Sequence, residues 1–290
     1  SNNFVKLGAF AQVGKRFFAD RLGVNFGVRM DGNTFTDEGM NLFQTFSPRV
    51  GLSYVLGDKW NLNASVGRYY KLSPYTILGF KDNNNNYVNR DAGYQRSDHY
   101  VIGLEFLPKN TTRFTIEAFY KAYGNMPVSV RDGINLANKG GDFNILGNED
   151  VVNTGKGRTY GVEFFAQQKL TNRFYGVFSY TLFVSQFTGS DNKYVASAWD
   201  NRHLLSVTWG YKFPRNWELG LKFRYQGGAP FTPFNEGASR LNYLSIGEGV
   251  LDYNRLNQNR LTAFHASDVR IDKKWNFKRL TLDVFLDVSN

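Results

Sequence analysis

Apolar and polar residues alternate with period two along almost the whole chain. Between Leu22 and Asp31, the residues Leu22, Val24, Phe26, Val28 and Met30 fall on one face, and Gly23, Asn25, Gly27, Arg29 and Asp31 on the other. Tyr100, Ile102, Leu104 and Phe106 repeat the pattern against His99, Gly103 and Glu105. So do Leu219, Leu221, Phe223 and Tyr225, and then Leu280, Leu282, Val284, Leu286 and Val288. This alternation predicts strands with one dry and one wet face. About twelve such segments recur, each roughly ten to fourteen residues long. Strands of soluble proteins average about five or six residues, whereas a tilted strand crossing a bilayer needs about nine to eleven. The predicted segments match the second length.

The connections alternate too. Short ones are expected near 16–20, 57–59, 108–111, 170–172, 214–216 and 276–278, and long ones near 32–45, 71–96, 124–157, 188–199 and 227–261. In an up-and-down sheet this places every short turn at one end and every long loop at the other, the layout of a bacterial outer-membrane barrel. Aromatic residues collect near strand ends (Phe17, Phe18, Trp60, Tyr69, Tyr70, Phe119, Tyr120, Tyr123, Trp217, Trp275), as girdles at two membrane interfaces require. The fold class expected is therefore all-β: an antiparallel up-and-down transmembrane β-barrel, with the outer membrane as its location. A large soluble β protein with a thick aromatic core is the competing reading, and long strands with strictly alternating loops disfavour it.

Composition sharpens this picture. Aromatic residues make up 17% of the 290, enough to exclude a disordered chain. Cysteine is absent, so there is no disulfide framework and no thiol nucleophile. No run of about 18 apolar residues predicts a transmembrane helix. No charged-then-apolar segment opens the chain, so a preceding piece is expected to be missing. The net charge of +10 comes from Lys and Arg spread over strand ends, turns and the polar face. They form no stripe with stacking aromatics, so nucleic acid is not an expected partner. At the rim of a barrel such residues would meet lipopolysaccharide phosphates, and in its lumen they would attract anionic solutes.

Candidate chemistry is sparse. His99, His203 and His265 each lie near the long-loop end of a predicted strand. None has a nucleophile motif or zinc spacing around it, so neither an enzyme nor a metal or other cofactor is expected. Gly155-Lys156-Gly157-Arg158-Thr159 resembles part of a phosphate loop, but Asp150 stands where that pattern needs a glycine. The run is read instead as a loop feeding a strand. Asp82 with its following asparagines, and Asp191-Asn192, supply oxygen ligands without a full calcium-loop pattern. The remaining candidates are aromatic residues in the long loops: Tyr75, Phe80, Tyr87, Tyr94, Tyr194, Trp199, Phe231, Phe234, Tyr243 and Tyr253. Aromatic faces with a few polar groups can stack on sugars, peptides or flat chelates. The alternative for each is packing of one loop on another.

Several stretches resemble a known family. They include Phe46-Ser47-Pro48-Arg49-Val50-Gly51-Leu52-Ser53-Tyr54, Gly67-Arg68-Tyr69-Tyr70-Lys71, Trp199-Asp200-Asn201-Arg202-His203, Gly227-Gly228-Ala229-Pro230-Phe231-Thr232-Pro233-Phe234 and Asp268-Val269-Arg270-Ile271-Asp272-Lys273-Lys274-Trp275. Their order is similar to the C-terminal barrel half of TonB-dependent outer-membrane transporters, in the form common in Bacteroidota. The resemblance implies a 22-stranded barrel around an N-terminal plug, with residues 1–290 one partial barrel domain holding about strands ten to twenty-one. Plug, earlier strands, last strand and TonB-binding segment are expected elsewhere. It further implies TonB-energised uptake of a scarce solute (iron chelate, vitamin, glycan or peptide). The implied partners are the TonB complex, outer-membrane lipid and lipopolysaccharide and the solute itself, with a surface lipoprotein as a further candidate. A passive porin-like channel, or a structural or adhesive barrel binding a partner protein, are the alternatives.

Overall fold

A computed structural model describes residues 4–140 and 146–290. The first three residues, and 141–145 inside the predicted 124–157 connection, lie outside the described residues.

Among the described residues fifteen strands follow one another: β1 (Lys6–Phe17), β2 (Leu22–Asn33), β3 (Ser47–Gly57), β4 (Trp60–Leu72), β5 (Tyr94–Lys109), β6 (Thr112–Ser129), β7 (Val151–Thr171), β8 (Phe174–Thr188), β9 (Tyr194–Ala196), β10 (His203–Phe213), β11 (Trp217–Gln226), β12 (Pro230–Phe231), β13 (Asn259–Arg260), β14 (Phe264–Asn276) and β15 (Thr281–Ser289). Two helices join them, α1 (Tyr75–Leu78) and α2 (Glu236–Ile246). One 13-stranded sheet runs β1-β2-β3-β4-β5-β6-β7-β8-β10-β11-β14-β15, each strand antiparallel to its chain neighbour. The short β9 pairs with β8, and β12 with β13 as a separate ribbon. Twelve long strands in sequence order form the predicted up-and-down wall. The sheet is open, with β1 and β15 at its edges.

Register assigns the faces. Leu104 of β5 stands opposite Leu62 of β4 and Ile116 of β6, and Ile116 opposite Phe164 of β7. Because side chains alternate strictly, one such row fixes the face of every residue on those strands. The apolar face carries Val66, Ile102, Leu104, Ile116, Val162 and Leu182, and it is bounded by two aromatic rows. Tyr100, Tyr120 and Tyr160 stand side by side toward the long loops, with ring centroids 6.3 Å apart at each step. Trp60, Phe106 and Phe114 do so toward the short turns, 4.3 and 6.3 Å apart. This apolar band between girdles is the lipid face. The opposite face carries Asn61, Asn63, His99, Glu105, Arg113 and Glu117, with Arg113 paired to Glu105 at 2.6 Å. It is the lumen wall.

Two boundaries differ from the sequence reading. The predicted 124–157 connection is shorter, because β6 and β7 keep pairing past bulges at Tyr123 and Met126 up to Ser129 and Val151. Gly155-Lys156-Gly157-Arg158-Thr159 therefore lies within β7. Beyond the bilayer both faces of a strand are wet, so the alternation that marks a strand disappears while the backbone ladder continues. Tyr94 and Tyr194 accordingly sit on β5 and β9 rather than in open loop.

Candidate ligand-binding site

The long loops gather into one cap at the end of the wall. Ile77, Leu78, Ala92, Leu136 and Val151 are buried together, with Phe35 and Leu72 against them. These residues come from the β2–β3, β4–β5 and β6–β7 connections and the adjoining ends of β4 and β7, so the loops share a small apolar core. Its backbone lacks regular ladders, and buried asparagines take their place. Asn89 is fully buried; its amide nitrogen donates to the Ile77 and Glu149 carbonyls, both 2.8 Å, and its oxygen accepts from the Val151 N–H at 3.0 Å. Asn138 donates to the Val195 and Ala196 carbonyls, both at 2.9 Å. Asn257 donates to the Asn138 and Ala196 carbonyls, both at 2.7 Å. A neutral amide offers both donor and acceptor, so it can satisfy irregular backbone without burying a charge.

One carboxylate is also fully buried. Asp200 accepts from Arg260 Nη2 at 2.6 Å, Arg202 Nε at 2.9 Å and the Ser185 N–H at 2.7 Å. Arg260 also donates to the Gly228 carbonyl of its own connection, and its pairing with Asp200 locks the connection after β11 onto the one after β8. A close approach of glycines completes the cap. The Ser190 N–H donates to the Gly133 carbonyl at 2.9 Å, and a Cβ on the adjoining Gly189 would collide with that carbonyl.

Between the β6–β7 and β11–β14 connections lies a cavity of about 650 Å³. Phe231, Phe234 and Tyr253 line it with Leu251, Leu256 and Leu261, while Asn138 and Asn257 supply polar wall. On one side Lys139, only 11% exposed, sits 2.8 Å from Asp132 and 2.9 Å from Glu149. Ser129 donates a close hydrogen bond to Glu149. Burial alone would push the Asp132 carboxyl up, but the Lys139 ammonium and the Ile134 N–H outweigh it and hold it below the usual carboxylate range. Arg131 completes the group 3.5 Å from Asp132 and 3.8 Å from Glu149, its guanidinium largely exposed at the cavity. Two cations and two carboxylates balance. The volume lies within the range of small-molecule sites, and the lining combines flat apolar rings with a few oriented polar groups.

The ten aromatic candidates fall into separate groups. Phe231, Phe234 and Tyr253 share the cavity. Tyr75 and Tyr87 belong to a different cluster, Tyr75 edge-on to Phe4 at 5.7 Å and Tyr87 edge-on to Phe35 at 5.3 Å. Phe80 is half-buried just beyond α1. The Tyr94 hydroxyl accepts from buried Asn33 at 3.5 Å. Trp199 packs edge-on to the buried Phe187 at 5.7 Å, and Tyr194 lies beneath the Arg158 guanidinium at 4.2 Å. Tyr243 is exposed on α2, outside the cavity. The sequence reading overlooked Arg131, Asp132, Lys139 and Glu149; a run of charges of both signs within one connection was the available signal.

The histidines also separate. His99 faces the lumen, 2.8 Å from Ser97 Oγ and tilted against the Tyr69 ring at 4.5 Å. His203 accepts or donates at 2.8 Å with the Tyr180 hydroxyl on the lipid side. Asp82 spends its carboxylate on the Asn84 and Asn86 N–H groups at 2.9 and 2.8 Å, and the Asn86 N–H foremost holds its pKa below the usual range. Among the described residues no three His, Asp or Glu side chains converge on a metal site.

The model of the TonB-dependent receptor-like β-barrel matches residues 1–290, the whole sequence. The chain belongs to that family. It is a family of outer-membrane receptors rather than of enzymes, and its membrane placement agrees with the girdles described above. No curated protein matches the sequence. Among solved structures, the pyoverdine outer-membrane receptor FpvA from Pseudomonas aeruginosa is 17% identical over 93% of this chain, with a TM-score of 0.64. The ferric-catecholate import receptor Fiu from Escherichia coli K12 is 14% identical over 99%, at 0.66. The alcaligin outer-membrane receptor FauA from Bordetella pertussis is 14% identical over 99%, at 0.59. At these identities the likeness shows a shared fold. The chain spans 36%, 40% and 43% of those three receptors' lengths.

Proposed function

We propose that this chain forms wall and outer loops of a receptor that captures a ferric chelate and admits it by TonB-energised transport. The observation that carries this reading is the cavity of Phe231, Phe234 and Tyr253, set in a cross-braced cap beyond a polar lumen wall. Flat rings suit the planar ligands of a chelate, and the Arg131 guanidinium suits its acidic groups. The three similar receptors are receptors for pyoverdine, a ferric catecholate and alcaligin, which favours a chelate over a vitamin, glycan or peptide. In lipid, unpaired strand edges are prohibitive. The edges of β1 and β15 therefore support completion by further strands to the 22-stranded barrel, with a plug in the lumen and a segment that reaches TonB. The Bacteroidota-type runs noted above support that branch of the family, and with it a surface lipoprotein partner.

The test is uptake of iron-labelled catecholate chelate by cells carrying the intact receptor. Saturable uptake that stops when the proton-motive force is collapsed is expected. Phe231→Ala with Phe234→Ala should weaken chelate binding about 5-fold to 150-fold, since two ring contacts are each worth about 0.5–1.5 kcal/mol beyond area. Steady conductance in planar bilayers, with uptake indifferent to the proton-motive force, would instead establish a passive channel. A tightly bound partner protein with no uptake defect on deletion would establish an adhesive barrel.

A further inference from the structure

Of the two cations beside the cavity, one is spent and the other is free. Lys139 Nζ lies 2.8 Å from Asp132 Oδ2 and 2.9 Å from both Glu149 oxygens, which occupies the whole ammonium. Its side chain is nearly buried and has no donor left for a ligand. Arg131 differs. Its side chain is 74% exposed. Among the described residues its guanidinium meets carboxylates only at 3.5 Å (Asp132) and 3.8 Å (Glu149), both through Nη2. Most of its fork is therefore unspent at the cavity wall.

The carboxylates are as fully engaged as Lys139. The Ile134 N–H donates to Asp132 Oδ1 at 3.0 Å, and Ser129 donates to Glu149 Oε2. Lys139 reaches the remaining oxygens. Each carboxylate oxygen thus already holds a donor, and a cationic ligand finds no free carboxylate there.

The backbone keeps this arrangement in place. The Ser129 N–H donates to the Ile134 carbonyl and the Gly133 N–H to the Ser129 carbonyl, both at 2.9 Å. Gly133 turns at φ +69°, a region glycine enters without strain. Arg131 and Asp132 therefore stand at the tip of a tight turn that ends β6. Glu149 is held across from them: Asn89 donates to its carbonyl at 2.8 Å, and the Val130 N–H donates to the neighbouring Asp150 carbonyl at 3.0 Å. The rings of Phe231, Phe234 and Tyr253 approach the same cavity from the β11–β14 connection.

In a confined site charges act strongly on one another. Without the ammonium, Asp132 and Glu149 would draw the Arg131 guanidinium onto themselves and repel an incoming anion. Lys139 prevents both.

We propose that the cavity selects ligands carrying an ionised acid beside a flat ring, with Arg131 gripping the acid and Lys139 as the positioning residue that keeps Arg131 available by neutralising Asp132 and Glu149. This rests on the cavity being the ligand site, as in the chelate reading, and adds the charge that the ligand must carry.

The test uses the intact receptor in detergent micelles with two iron-free probes, benzoate and benzamide, which share a ring and differ in charge. Affinities are read by saturation-transfer NMR. The unaltered receptor should bind benzoate at least about tenfold more tightly, as one guanidinium–carboxylate contact supplies. Arg131→Gln should bind both probes alike. Lys139→Met should lose the preference for benzoate while keeping its affinity for benzamide, and Lys139→Met with Glu149→Gln should regain most of the preference, because the charges balance again. A merely structural Lys139 would instead lower both affinities together, with no recovery in the double variant. Equal binding of the two probes, binding of neither, or an unchanged preference in Arg131→Gln or Lys139→Met would each overturn the proposal. Should Lys139→Met fail to fold, Arg131→Gln, altered at an exposed side chain, and the charge-balanced double variant decide. Neither probe carries iron, so the acid preference is judged separately from energised chelate uptake, and either can fail while the other holds.

Discussion

Asn257→Ala should open the loop cap without touching the wall. The Asn257 amide donates 2.7 Å bonds to two carbonyls, Asn138 and Ala196, and the side chain is almost wholly buried. The two losses are unequal. The Ala196 carbonyl keeps its bond from Asn138 Nδ2 at 2.9 Å, so there only the net worth of one hydrogen bond is lost, about 1 kcal/mol. The Asn138 carbonyl, in a residue 1% exposed, is left buried and unpaired, at about 1–3 kcal/mol. Together these give about 2–4 kcal/mol of local opening free energy. Hydrogen exchange at the Ala198 amide, which donates to the Ala137 carbonyl across the same loops at 3.0 Å, should accelerate about 30-fold to 700-fold. Amides of the β7–β8 ladder, such as Val162, should keep their rates. Asn257→Asp should be worse, because a carboxylate cannot donate and would face two carbonyl oxygens. Unchanged exchange at Ala198, or equal acceleration in β7, would refute the claim that this amide locks the cap.

Asp200→Ala should be costlier, about 3–5 kcal/mol, because it strands Arg260 and Arg202 around a buried site; faster protease nicking between β11 and β14 is the readout. Acid should loosen the cavity through Asp132, whose folded pKa lies below its ordinary 3.8. That stabilisation is present above the ordinary value and is lost as pH falls through the folded one. Exchange of the Ile134 amide should therefore rise in that acidic range, and much less so in Asp132→Asn. Gly189→Ala should loosen the contact with Gly133, while Gly51→Ala, where an added Cβ would have its nearest neighbour at 4.0 Å, should leave exchange and thermal stability unchanged.

The wall was legible in the sequence because each strand obeys a local rule. Facing lipid on one side and a polar lumen on the other forces alternation, as in Leu22 to Asp31 and Tyr100 to Phe106. The turn signals at Asp58 and Asn172 mark the reversals. The rule weakens where the chain leaves the bilayer. There β6 and β7 continue in water on both faces, and the pairing of Met126 with Gly155 is carried by backbone alone. That is why the run around Lys156 read as loop although it is strand.

The cap is another matter. Ten aromatic residues looked equivalent in the long loops, yet Phe231, Phe234 and Tyr253 share a cavity while Tyr75 and Tyr87 pack elsewhere. Nothing periodic distinguishes them, because the contacts that sort them join distant segments. Asn257 and Asn138 are 119 residues apart, and Arg260 and Asp200 are 60 apart. Sequence alone thus determined the number, direction and membrane face of the long wall strands, which depend on near neighbours and on the solvent each face meets. The cavity and the balanced charges beside it depended on packing between loops, which only the folded sheet brings together.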